Sequence, residues 1–130
     1  MIALDTNILA RFLLNDTPAQ AAIAAQLLHG TERCTAPITV FLELVWVLES
    51  HGCRRAEIAL AIRALCGLNN FVPQNLDALA QAIQAYEAGM DFADALHLAL
   101  SANASAFKTF DQSFVKTARK LRAAPEVSLP

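Results

Sequence analysis

Paired metal-ligand spacing is absent from this chain. Its three cysteines, Cys34, Cys53 and Cys66, form no CxxC pair, and His29, His51 and His97 complete no zinc pattern with them. An odd, scattered set of thiols suits reduced cysteines in a cytoplasmic protein rather than a disulfide framework. Positive charge is also scarce. Ten Lys and Arg stand against twelve Asp and Glu, for a net charge of −2 and a pI of about 5.8, which excludes nucleic-acid binding by charge excess alone. A nucleic-acid enzyme is not excluded, because divalent cations reverse the field at an acidic site. The longest apolar run, residues 40–48, is broken by Glu43 and too short to span a bilayer. Asp5 and Arg11 interrupt the apolar N-terminus, and no basic segment precedes it, so no signal peptide is expected. Repeats, low-complexity tracts and linkers are missing too.

Apolar residues, by contrast, are abundant. They make up 55% of the 130 residues against 17% charged, enough for one domain with a substantial core. Short strands are predicted at 2–4, 33–36, 71–72, 106–110 and 127–129. Between them lie seven helical stretches. The first covers 6–14, and the second starts at Asn15-Asp16-Thr17-Pro18 and stops at Gly30. The third runs from Pro37 through "ITVFLELVWVLESHG". The fourth is "RRAEIALAIRALCGL", with Ile58, Ile62, Leu65 and Cys66 at helical spacing. The others are 77–88, "DFADALHLALSANA" and 113–122. This alternation implies an α/β fold: a short, mainly parallel sheet flanked by helices on both faces.

In such a sheet, ligands bind beyond the carboxyl ends of the strands. Asp5 follows the first strand directly, and Asp111 follows "AFKTF", so both are expected at one sheet edge. Glu43 lies within "TVFLELVWVL", a segment that reads as buried, where an unpaired carboxylate carries a penalty of several kcal/mol. Each acid also has a purely structural explanation. Asp5, Asp91 and Asp111 suit helix N-caps, Asp94 suits the first turn of its helix, and Glu43 suits a solvent-facing stripe or a buried ion pair. His97, one turn beyond Asp94, suits packing or a hydrogen bond better than a catalytic base. The run Lys116, Arg119, Lys120, Arg122 suits a solvated helix face. Together, however, the carboxylates make a set of hard oxygen donors that favours Mg²⁺ or Mn²⁺ over zinc. Such a set serves phosphodiester hydrolysis by a metal-activated water.

"LDTN", "ELVWVL", "DFADALHLAL" and "TFD" occur in the order found in PIN-domain ribonucleases, and the chain resembles in particular the VapC-type toxins of bacterial toxin–antitoxin pairs. The resemblance covers nearly the whole length. It implies an Mg²⁺-dependent endoribonuclease in which Asp5, Glu43, Asp94 and Asp111 form the catalytic metal site. Asp91 would be an accessory acid, and Thr6, Asn7 and Thr109 would orient ligands or water. It further implies an RNA substrate and a small cognate antitoxin. An antitoxin Arg reaching Asp5 and Asp94 would displace the cation. The high mean hydropathy, +0.38, and the apolar segments "ILARFLL" and "AAIAAQLL" add the expectation of a homodimer with a groove near the first helices. Arg11, Arg54, Arg55, Lys108 and Lys116 are candidate RNA contacts. The alternative is a PIN-like module that binds RNA or protein without cutting. An aspartyl-phosphate phosphatase of the haloacid-dehalogenase sort fits less well, since position 7 is Asn where that chemistry needs a second Asp.

Overall fold

Local capping chemistry sets where the helices begin in the computed structural model, which describes all 130 residues. The chain falls into two compact units, Met1–Leu76 and Asp77–Pro130. In the first, β1 (Ile2–Ala3) pairs in parallel with β2 (Cys34–Thr35), Ile2 opposite Cys34 and Ala3 opposite Thr35. One further parallel bridge joins Cys34 to Phe71. Helices α1 (Thr6–Leu14), α2 (Pro18–Leu28), α3 (Ile38–Ser50) and α4 (Arg55–Cys66) complete the unit. Asp5 caps α1 by accepting from the Thr6 N–H at 2.8 Å, and Pro18 opens α2 with its φ already suited to a helix. At α4 the Arg54 N–H donates to Glu57 Oε1 at 2.8 Å. The core gathers Leu9, Leu44, Ile58, Ile62 and Leu65 around Phe41 and Phe71, whose rings lie 6.3 Å apart.

The second unit holds α5 (Leu76–Glu87), α6 (Phe92–Ala99), β3 (Phe107–Lys108), α7 (Gln112–Leu121) and β4 (Val127–Ser128). Strands β3 and β4 pair in parallel, Phe107 opposite Val127 and Lys108 opposite Ser128. Tyr86 and Phe92 meet edge to face at 5.7 Å, and Phe107 packs on Phe114 at 5.5 Å. No helix is long and apolar enough to cross a membrane. The α/β class with parallel strand pairing stands.

Four expectations need correction. The ladder is divided into two pairs, β1–β2 and β3–β4, so Asp5 and Asp111 each follow a strand of a different pair. The segment expected as a strand at 71–72 does run in parallel beside β2, the Cys34 N–H donating to the Asn70 carbonyl at 2.6 Å, the Val72 N–H to the Cys34 carbonyl at 2.9 Å and the Gln74 N–H to the Ala36 carbonyl at 3.0 Å, but it forms one bridge rather than a strand of its own. Helix α6 stops at Ala99 rather than continuing to residue 104, because the Ser101 hydroxyl donates to the His97 carbonyl at 2.8 Å and its N–H turns back to Leu98. The fourth correction concerns α3, where Glu43 is exposed, together with Trp46 three residues on, while Phe41, Leu44, Val45 and Leu48 are buried. The polar side of this helix carries a tryptophan, which disguises it as apolar. Phe41→Ala should therefore cost about 3–5 kcal/mol, whereas Trp46→Ala should stay within about 0.5 kcal/mol. Urea unfolding of the two variants beside the parent checks this contrast.

Candidate active site

Strand exits and helix starts place most of the candidate acids. In the first unit, Leu4 is buried and Asp5, the next residue, turns outward as the N-cap of α1. Thr6 is the one buried polar residue of the chain, 7% exposed, and its hydroxyl donates to Glu43 Oε1 at 3.3 Å. The hydroxyl thus links the first turn of α1 to α3. It orients a carboxylate that otherwise faces solvent. Asn7 is exposed and lines a shallow cavity of about 390 Å³ with Ile8, Arg11, Gln20 and Ile23.

The second unit carries the other three acids. Asp91 caps α6, accepting from the Asp94 N–H at 3.1 Å. Asp111 caps α7, accepting from the Phe114 N–H at 3.1 Å, while its own N–H donates to Thr109 Oγ1 at 3.0 Å. These bonds fix the carboxylates of Asp91 and Asp111. Asp94 is different: half-buried, its carboxylate has no hydrogen-bond partner. Burial pushes its pKa above the ordinary aspartate range, and the charges of Asp91 and Asp111 push the same way, with His97 opposing them. The capping roles of Asp5, Asp91 and Asp111 are therefore real, and they aim carboxylates rather than hide them.

No three His, Cys, Asp or Glu side chains stand close enough to form a ready cage for a metal ion. The donor chemistry nonetheless suits a hydrated divalent cation that prefers oxygen ligands. Such an ion keeps several waters and needs only one or two carboxylates from the protein, and Asp94 offers a partly desolvated, unpartnered one.

The PIN-domain profile matches residues 2–120, through both units. The chain belongs to the PIN-domain family. PIN domains are in general nucleases and typically use divalent metal ions, so the acids of this PIN domain fall in a hydrolase fold. No curated protein matches the chain.

The cations expected to meet RNA are mostly engaged elsewhere. Arg11 clamps Asp16 with two bonds of 2.9 Å, and His51 Nε2 lies 3.8 Å from the same carboxylate. Partial desolvation works to raise the Asp16 pKa, but the Arg11 hydrogen bond and charge, with His51, hold it below the usual range. That arrangement is not legible in the sequence, since only the turn at Asn15, with φ of 52°, brings Asp16 back to Arg11. Arg54 pairs with Glu57 at 3.3 Å, and Lys108 donates to Ser128 Oγ at 2.9 Å.

Asp94 sets a pH dependence whose sign follows from its raised pKa. The native state binds the proton more tightly than the unfolded chain, so stability falls as pH rises from the ordinary value of 3.8 through the folded value. Asp94→Asn should raise the melting temperature at pH 7 and leave it nearly unchanged at about pH 3, where both states are protonated. Paired thermal melts of variant and parent check this.

Proposed function

We propose that this PIN domain is a metal-dependent endoribonuclease and the toxin of a toxin–antitoxin pair. The observation that carries the catalytic part is the half-buried, unpartnered Asp94 flanked by the charges of Asp91 and Asp111. Asp5, Glu43, Asp94 and Asp111 would hold Mg²⁺ or Mn²⁺, as their match to the family's acidic motifs implies. When bound, the ion would lower the pKa of a water and offset charge on the phosphate. The chain's own groups do the rest. Glu43 or Asp94 would help take the proton of an attacking water. Thr6 orients Glu43, and Thr109 holds the turn that presents Asp111. The family match through both units supports reading them as one domain.

The toxin part rests on the resemblance and on one surface. Ile8, Phe12, Leu13 and Leu14 of α1 are only half-buried, and Ile23 of α2 is 57% exposed. This surface suits an amphipathic segment of an antitoxin or a second copy of the chain. An antitoxin Arg would silence the site by substituting its charge for the cation's.

Asp5→Asn keeps an oxygen for the cap but loses the charge. It should abolish RNA cleavage, a loss of at least about 100-fold, in a protein that still folds, and EDTA should do the same to the parent. Retained cleavage in a folded Asp5→Asn protein would remove Asp5 from the site. RNA binding without any cleavage by the parent would favour the non-catalytic reading.

A cation that binds the native state stabilises it by mass action. Millimolar Mn²⁺ should raise the melting temperature of the parent and leave an Asp5→Asn/Asp94→Asn protein unaffected. A parent indifferent to Mn²⁺ would contradict a metal site at these residues.

A further inference from the structure

Phe110 is 87% exposed, more than any other large apolar side chain in the protein. Its backbone is nevertheless pinned on both sides. The Thr109 N–H donates to the Ser128 carbonyl at 3.2 Å, and the Asp111 N–H returns to Thr109 Oγ1 at 3.0 Å. Phe107 faces Phe114, whereas Phe110 meets no ring. Its neighbours in the chain, Thr109, Asp111 and Gln112, are polar. Next along α7 and β4 lies a cavity of about 480 Å³ lined by Gln112, Val115, Lys116, Arg119, Ser128 and Leu129. No ion pair engages Lys116 or Arg119.

An aromatic side chain exposed on a hydrogen-bonded backbone, in one unit with two cations that no ion pair engages, suits a single-stranded nucleic acid, whose bases stack while its phosphates meet Lys and Arg. We propose that Phe110 is the stacking platform for one base of a single-stranded RNA, with neighbouring phosphates held by Lys116 and Arg119 in the adjoining cavity. This rests on the nuclease reading and names how its substrate is gripped. The strand would then be placed by a base one residue from Asp111, at the acidic end of the unit. Phe110 contributes position and base preference and takes no part in the chemistry.

Binding of a short, mixed-sequence, fluorescein-labelled single-stranded RNA, measured by anisotropy in an Asp5→Asn background, tests this. Phe110→Ala should weaken binding about tenfold, and Phe110→Tyr by no more than about twofold. In a Trp46→Phe/Phe110→Trp protein the single indole should be quenched by the RNA and not by inorganic polyphosphate, which has charge but no bases. Removing both cations, Lys116→Gln/Arg119→Gln, should make log K against log salt shallower by about 1.4, at about 0.7 for each phosphate no longer neutralised. Unchanged affinity of Phe110→Ala, equal quenching by polyphosphate, or no RNA binding at all would overturn the platform. So would a dimer of the parent that Phe110→Ala dissolves, since the ring would then be a protein contact. Metal-dependent cleavage by the parent is read separately. RNA gripped through Phe110 but never cut refutes the nuclease reading and leaves the platform, whereas RNA cut with a KM indifferent to Phe110→Ala does the reverse.

Discussion

Partial burial of Asp94, to which the charges of Asp91 and Asp111 add, is the constraint on which the candidate site of the second unit depends. A carboxylate relieves repulsion most cheaply by rotating away into water. Asp91 and Asp111 are denied that freedom, because each is bonded to a backbone N–H of the helix it caps. Asp94 sits in the first turn of α6, partly desolvated and without a partner. A proton or a cation would relieve it. Each cap stabilises its helix by about 1 kcal/mol, so the folding chemistry and the charge cluster come from the same atoms. A helix start thereby also fixes the direction of a carboxylate.

The first unit uses the same device with a different support. Asp5 caps α1 as the chain leaves β1, and the neighbouring Thr6 is buried so that its hydroxyl reaches Glu43 on α3. Thr6 is thus a positioning residue: removing its hydroxyl frees Glu43 without exposing a charge. Asn7, one residue further, opens toward the shallow cavity beside Arg11. Two capped strand exits, at Asp5 and Asp111, therefore recur in one chain. The recurrence explains why capping and catalytic readings of these acids do not compete.

The helix starts are legible in the sequence because caps are local: Asp5, Asp91, Asp111 and the Thr17-Pro18 pair announce themselves within four residues. The strands are legible in position but not in length. Only Phe107 and Lys108 pair out of the stretch 106–110, because the Asp111 N–H is claimed by the Thr109 side chain as the ladder ends. Glu43 stands out in the sequence for the wrong reason. Its apolar neighbours suggest burial, yet it lies on the solvent side of α3, which Trp46 disguises. Contacts made through turns are out of reach of any periodicity, as with the Arg11–Asp16 pair that occupies an expected RNA contact. Phe110 is hidden similarly, since an aromatic next to a strand reads as core until its exposure is seen.

The central claim is that the carboxylates around Asp94 hold a divalent cation. Paramagnetic broadening by Mn²⁺ tests it without reference to any substrate. Substoichiometric Mn²⁺ added to isotope-labelled protein should erase the amide signals of Asp91, Asp94 and Asp111 first, and Asp94→Asn should shift that loss to a markedly higher Mn²⁺ concentration. Broadening spread evenly over the twelve acids of the chain, or centred on Asp16 or Glu57 instead, would contradict the account.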